Sequence, residues 1–438
     1  MKQNSQLVSF ADVAHQTIVF DRSLASDKLV LELIDTAWVQ RLRYISQTGN
    51  TKLVYMFAEH SRFGHCLGVA YLAKLLMSNL KKFSEDSVCQ YEQAVAAAAI
   101  LHDVGHLAPG SHLAERIWSQ EDGALHEQAT QRVIKEDPEI VEILSKYNKE
   151  LPKIVCNILN GDSSVPPWTK AIISGGGWNA DRGNWSIVDS AMCAVSYGRY
   201  NVIALIDAFR LDDNLNLVLG ENRLDALTHF FVARDSMYRQ VYQHRVLQAV
   251  DALTSHITLR LRDLTTNCKS AQQVQETLGK LNIFCDKALS AILATSNYAK
   301  ELSLEQLFSM TESWWMYHLN NWTTCSDTIL SDLALRLRDR KLFKTIKLES
   351  DQDAIIEQAR NISSKMGYDP RYYISVIEEK DKHRGKKEEP PKVIMDTGKI
   401  LAATEVDPTI DVIMSRPPTQ RAWLALPAEV KLALGRAR

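Results

Sequence analysis

The chain has 438 residues, 45% of them hydrophobic and 24% charged, with a formal net charge of −2. These are the proportions of an ordinary globular protein with room for one large domain and an appendage. The near-neutral charge excludes a protein built to coat nucleic acid, so no partner of that kind is expected. The longest apolar run, Ala94 to Leu101, is too short to span a bilayer, and Met1 to Phe10 lacks the pattern of a signal peptide. Seven dispersed cysteines without a Cys-x-x-Cys pair read as reduced thiols. A cytoplasmic protein without a membrane partner is expected.

In chain order, residues 1–16 read as an N-terminal extension and residues 17–340 as a helical domain. Apolar residues at helical spacing (Val30, Leu33, Ile34, Trp38, Leu42) predict a helix over Leu29 to Tyr44, with Gly49 as its stop. Further helices are predicted over Arg62 to Lys81, Val88 to Asp103, His244 to Leu264 and Leu302 to Leu337. The Val88 segment is rich in alanine and apolar nearly all round, which places it at the centre of a bundle. Past residue 340, Leu342 to Leu348, Tyr372 to Glu378, Lys392 to Asp396 and Ile410 to Met414 are strand candidates. The charged run 379–391, ending in Pro-Pro, reads as an exposed loop. The predicted class is mainly α: a helical bundle followed by a small C-terminal α+β lobe over 341–438.

Three segments place polar residues inside otherwise apolar helices: Arg62-Phe63-Gly64-His65, then His102-Asp103-Val104-Gly105-His106 with Ser111-His112, and Ala180-Asp181-Arg182. A buried imidazole or carboxylate is costly without a partner. A divalent metal is the partner that would suit neutral imidazoles and carboxylates together, with Mn, Fe, Mg, Zn, Co and Ni all possible. Taken alone, His102-Asp103 is more often a hydrogen-bonded helix end. His65 on a separate helix, and His106 one turn beyond His102 if the helix continues, favour the metal.

His65, His102-Asp103 and Asp181 resemble the H…HD…D signature of the HD superfamily. More narrowly, the chain resembles the deoxynucleoside triphosphate triphosphohydrolases of the sterile-alpha-motif and HD-domain type and their bacterial relatives. The likeness includes Ile34-Asp35-Thr36, Gln40-Arg41-Leu42-Arg43-Tyr44-Ile45, Arg62-Phe63-x-His65-x-x-Gly68-Val69, His126-Glu127-Gln128, Arg234, Tyr242-Gln243-His244 and Arg338 to Lys344. It runs over roughly residues 17 to 348. The resemblance implies an HD-domain bundle that hydrolyses a dNTP to deoxynucleoside and triphosphate, for pool control or antiviral depletion.

By the same resemblance, His65, His102, Asp103 and Asp181 hold the metal, and His126 is the general acid, oriented by Glu127. His106 is counted with the catalytic set and lines the phosphate side together with His112. Arg62, Arg182 and Arg234 contact phosphates. Gln47 and Asp189 take the 3′-hydroxyl, and Tyr242 crowds C2′. Asp35, Gln40 and Arg43 fall where regulated members bind an activating nucleotide, and a homo-oligomer is expected. Where the family continues Asp-Arg-x-Asp-Tyr, this chain has Asp181-Arg182-Gly183-Asn184-Trp185. Trp185 keeps an aromatic face but loses a hydroxyl, and Tyr238 replaces a common histidine. The run Ser174-Gly175-Gly176-Gly177-Trp178 predicts a mobile or reshaped loop. An HD phosphodiesterase or nucleotidase, and a catalytically silent nucleotide sensor, are the competing readings.

Overall fold

The computed structural model describes residues 6–119, 121, 123–349, 352–378, 389–416 and 421–435. Two strands, β1 (Leu7–Asp12) and β2 (Gln16–Asp21), open the chain as an antiparallel hairpin that straddles residue 16. Ile18 and Phe20 on β2 are buried against the helices that follow. The single helix expected over Leu29 to Tyr44 is instead α1 (Ala25–Ile34), α2 (Ala37–Arg41) and a 3-10 turn over Leu42–Tyr44. Thr36 causes the break. Its hydroxyl donates to the Leu33 carbonyl at 2.7 Å and accepts from the Val39 amide at 3.5 Å, local bonds that compete with helix continuation. Gly49 begins another 3-10 turn rather than ending a helix.

Next come α3 (Arg62–Leu80) and α4 (Glu85–Leu101). Every residue of α4 from Ala94 to Leu101 is buried, as its composition predicts. Its alanines let α1 and α3 approach closely from one side, and α8 and α9 from another. The bundle is completed by α5 (Leu113–Trp118), α6 (Leu125–Glu136), α7 (Pro138–Tyr147), α8 (Leu151–Asn160), α9 (Pro167–Ile173), α10 (Ala180–Met192), α11 (Val202–Ala208), α12 (Leu224–Met237) and α13 (Arg245–Leu264). A π-helical turn over Tyr238–Tyr242 separates α12 from α13. The helix expected over Leu302 to Leu337 is three helices, Leu304–Ser309, Glu312–Trp322 and Thr328–Arg338. Each is started by a side-chain cap, from Ser303, Thr311 and Asp327 respectively.

Strands β3 (Phe209–Leu211), β4 (Leu217–Gly220), β5 (Lys344–Leu348), β6 (Ser375–Glu378), β7 (Lys392–Ile394), β8 (Ile400–Ala402) and β9 (Ala422–Leu426) form two sheets, ordered β3-β4-β7-β8 and β5-β9-β6. The first sheet draws strands from both sides of residue 340, through a parallel pairing of β4 with β7. Ile410 to Met414 is not a strand but lies in the helix Pro408–Ser415, where Asp407 caps the amides of Thr409 and Ile410 and proline occupies the first turn. Of the loop expected over 379–391, residues 379–388 lie outside the described residues. No helix among the described residues is long and apolar enough to cross a membrane.

One buried cation ties α2 to the segment that will carry His106. The Arg41 guanidinium donates to the carbonyls of His106 at 2.9 Å, Phe308 at 2.7 Å, Leu307 at 2.8 Å, Met310 at 3.3 Å and Val104 at 3.5 Å. Burial lowers its pKa to about 9, which leaves it charged at neutral pH. An Arg41→Met variant strands several buried carbonyls and should lose about 3 kcal/mol or more of stability in urea unfolding. Arg41→Lys, with one nitrogen in place of a planar fork, should not restore it. Wild-type stability in either variant would refute this role.

Candidate active site

Three helix ends converge on one point. Arg62 and His65 lie in the first turn of α3, His102 and Asp103 just beyond the end of α4, and Asp181 in the first turn of α10. Helix α4 does not continue to His106 as the spacing suggested; residues 102–105 form turns, and His106 enters from those turns instead. Gly105 is needed there, because a Cβ would come within 2.3 Å of the His126 carbonyl oxygen and 2.4 Å of the Thr130 amide. The Thr130 hydroxyl accepts from the Gly105 amide at 3.0 Å and donates to the His102 carbonyl at 3.1 Å. Helix α6 is thereby docked onto the turn.

His102 Nδ1 lies 2.8 Å from the Ala99 carbonyl, to which it must donate, and His65 Nδ1 lies 2.9 Å from Asn184 Oδ1. In the neutral rings that a cation here would require, both Nε2 atoms then present lone pairs; without a cation, burial would lower the His65 pKa but Asp181 raises it. His65 Nε2 is 3.1 Å from Asp181 Oδ1 and 3.8 Å from Asp103 Oδ2, and His102 Nε2 is 3.5 Å from Asp103 Oδ1 and 4.0 Å from Asp181 Oδ1. Both are buried with no hydrogen-bond partner among the described residues. Lone pairs that face carboxylate oxygens at these distances repel unless a cation lies among them. The four predicted ligands thus fit a divalent ion. Asp103 also forms a buried ion pair with Arg62. Burial would raise its carboxyl, but Arg62, His102 and His106 together hold it well below the usual carboxylate range.

Beside the ligands, the His106 and His126 rings stack at 4.1 Å, and His106 Nε2 is 3.3 Å from Asp103 Oδ1. Burial, with Arg62 and His126 adding to it, pushes the His106 imidazole well below its ordinary pKa. Glu127 is exposed in the first turn of α6 and acts on His126 only through its charge. The orienting position belongs instead to Glu115 of α5, whose Oε1 lies 2.5 Å from His126 Nδ1 and accepts from the His126 amide at 3.0 Å. Burial disfavours the His126 cation, but the Glu115 hydrogen bond and charge outweigh it and raise the pKa. His112 is mostly exposed, with Nδ1 3.7 Å from Glu115 Oε2.

A second polar group is built around Asp189, about two turns along α10 from Asp181. The bridge between Ser46 and Ser61 sets Gln47 beside His60. His60, which sequence reasoning passed over, places Nε2 2.7 Å from Asp189 Oδ1, and the Tyr242 hydroxyl donates to Asp189 Oδ2 at 2.5 Å. Gln47 Oε1 and His60 Nδ1 are buried without a hydrogen-bond partner among the described residues. Trp185 meets Tyr238 and Tyr242 edge-on at 5.7 and 5.6 Å, and the Arg234 guanidinium lies 5.6 Å over the Tyr238 ring. Arg182 donates to the Gly177 carbonyl at 3.0 Å. The glycine run before it is not open loop: a Cβ on Gly177 would meet Pro391 at 2.8 Å, and one on Gly176 the Glu389 carbonyl at 2.6 Å. Gln40 and Arg43 are joined by a 2.8 Å hydrogen bond, with Arg43 stacked 3.6 Å over Phe63, while Asp35 is exposed at the end of α1. Asp35 thus follows α1, Gln40 lies on α2, and Arg43 lies in the 3-10 turn after it.

Residues 62–180 match the family described as the HD domain, and they contain three of the four clustered ligands, with Asp181 immediately beyond. The chain carries an HD domain in a mainly α fold. Among curated proteins it is 28% identical over 356 residues to uncharacterized protein YwfO of Bacillus subtilis, covering 81% of this chain and 77% of that protein. It is 27% identical over 271 residues to the deoxynucleoside triphosphate triphosphohydrolase SAMHD1 of Homo sapiens, covering 54% of this chain and 42% of that one. Among solved structures, a phosphohydrolase from Bacteroides thetaiotaomicron superposes with a TM-score of 0.79 at 23% identity, over 96% of this chain and 99% of that one. At that identity the likeness establishes the fold.

The Glu115–His126 pair has a defined pH signature. The share from His126, whose pKa is raised, is fully present below 6.5 and is lost as pH rises through the raised value. The share from Glu115, whose pKa burial would raise but the two histidines lower, is present above 4.5 and is lost as pH falls through the lowered value. Glu115→Gln should therefore depress the melting temperature most between pH 4.5 and 6.5 and progressively less as His126 deprotonates. Glu127→Gln should give a nearly flat difference, and the reverse ranking would return the orienting role to Glu127.

Proposed function

We propose that this protein hydrolyses deoxynucleoside triphosphates to deoxynucleoside and triphosphate in a metal-dependent reaction. The observation that carries the reading is the pairing of two features within one buried cluster: two bare imidazole Nε2 atoms facing Asp103 and Asp181, and a carboxylate-backed imidazole, His126, stacked on His106. The activity for which SAMHD1 is named supports the choice of substrate.

A divalent ion held by His65, His102, Asp103 and Asp181 would supply Lewis-acid polarisation at the α-phosphate. The chain's own residues do the rest. As water attacks the α-phosphorus and the bond to the 5′ oxygen breaks, His126, whose protonated form Glu115 favours, donates its proton to that departing oxygen, and the water's proton is lost to solvent. Arg62, Arg182 and Arg234 give the triphosphate planar, charge-assisted donors, and the neutral His106 and the outer His112 line the same side. Gln47 and Asp189 receive the 3′-hydroxyl. Tyr242, whose hydroxyl stays protonated because burial and Asp189 push its pKa well up, walls the C2′ side, and Trp185 and Tyr238 supply apolar faces. The group of Asp35, Gln40 and Arg43 is proposed to take an activating nucleotide in a homo-oligomer.

The purified protein would be incubated with each dNTP and with GTP, singly and in pairs, in Mn²⁺ or Mg²⁺, and the products separated by chromatography. Deoxynucleoside and intact triphosphate should form and should fall at least 100-fold in His102→Ala and Asp103→Ala, a magnitude of about 3 kcal/mol. Monophosphate or diphosphate products would replace this reading with a phosphodiesterase or nucleotidase, and binding without turnover would replace it with a sensor.

A further inference from the structure

The side chain behind the first metal ligand is itself held by the N-terminal hairpin. Asn184 on α10 is fully buried. Its Oδ1 lies 2.9 Å from His65 Nδ1, and its Nδ2 lies 3.0 Å from Nε2 of His15. His15 sits in the turn between β1 and β2, where Asp12 Oδ1 accepts from the Ala14 amide at 2.8 Å and from the His15 amide at 2.7 Å. The His15 ring rests on Tyr71 of α3, with centroids 5.6 Å apart.

The helix surfaces are cut to fit this chain of contacts. His65, Gly68 and Tyr71 recur every three residues along one face of α3, and Asp181 and Asn184 do the same on α10. A Cβ on Gly68 would come within 1.9 Å of Asn184 Nδ2, so the amide occupies the space that the glycine leaves. Burial lowers the His15 pKa against the pull of Asp12, which favours the neutral ring that can accept a hydrogen bond.

An amide has one accepting and one donating end, so the two contacts fix each other. If His15 Nε2 accepts, Asn184 must turn Nδ2 toward it and Oδ1 toward His65. His65 must then carry its proton on Nδ1 and present Nε2 as a lone pair. We infer that Asn184 is a positioning residue for the metal ligand His65, and that His15 of the hairpin sets its orientation.

This rests on the metal reading of the site, and its test therefore reads metal affinity and not turnover. Mn²⁺ alone would be titrated calorimetrically into metal-stripped full-length protein, with melting in EDTA as the check on folding. Asn184→Leu, which keeps the size but loses the acceptor, should weaken Mn²⁺ binding about 10–100-fold. Asn184→Asp, which restores an acceptor for Nδ1–H, should bind within a few-fold of the wild type. His15→Ala should weaken binding in the wild-type background but change nothing once Asn184 is leucine, because its effect passes through the amide. Asn184→Ala replaces the leucine variant if the latter does not fold.

Unchanged Mn²⁺ affinity in a folded Asn184→Leu or Asn184→Ala protein would overturn the inference. So would an equal His15→Ala loss in both backgrounds. A wild-type protein that binds no Mn²⁺ would overturn the inference together with the metal reading, which distinguishes the two failures.

Discussion

The carboxylate of Asp103 stands at the end of a helix whose last two turns are buried on every side, where an unmatched charge would cost several kcal/mol. Arg62 from α3 supplies the match, and much of the site follows from that pairing. Arg62 and His65 are one turn apart on α3, so docking the guanidinium on Asp103 sets His65 opposite His102. Because α10 packs along α3, Asp181 closes the remaining side. A buried ion pair is weak evidence for stability in itself. Its role here is one of register: it holds two helices so that imidazole lone pairs and carboxylate oxygens are forced to face one another.

A second set of constraints brings the proton-bearing half of the site to the first. The turn after α4 would spread apart without partners for its backbone. Thr130 and Arg41 take up those groups from opposite sides, and the missing side chain of Gly105 lets α6 come close. Docking α6 in this way lays His126 on His106, within reach of Glu115 from α5. The two imidazoles are driven in opposite directions by their surroundings, one toward neutrality and one toward charge. A division of labour between neighbouring titratable groups of one type is what acid–base chemistry near neutral pH requires.

The clustering of His65, His102, Asp103 and Asp181 was legible in the sequence because each is a polar residue set in an otherwise apolar helix, a pattern that burial makes expensive. Glu115 was not. A glutamate in the first turn of a short helix looks like an ordinary solvated residue, and Glu127 came with the resemblance, as part of His126-Glu127-Gln128. Adjacent residues on a helix point about 100° apart, so neighbours in sequence are poor partners in space. Apolar patterns gave α3 and α13 to within a residue and α4 to within three, whereas the interruptions at Thr36, Thr311 and Asp327 depend on single side-chain caps that periodicity does not register. The β-branched run at Ile410 to Met414 outweighed the start signal of Asp407-Pro408, and the tertiary setting decided for helix. Asn184 looked like a lost carboxylate; only the hairpin opposite it shows what an amide can do that a carboxylate cannot.

The pairing of Leu219 on β4 with Val393 on β7 carries a consequence for how the molecule comes into being. A ribosome delivers β4 long before β7, and contacts so distant in the chain form late. Until then β4 has an open edge, and the glycine run ahead of Asp181 lacks the Glu389–Pro391 backing it rests on in the finished fold. The nascent chain thus has His65, His102 and Asp103 well before the loop leading to Asp181 is supported. Synthesis itself thus delays the finished cluster until β7 has emerged.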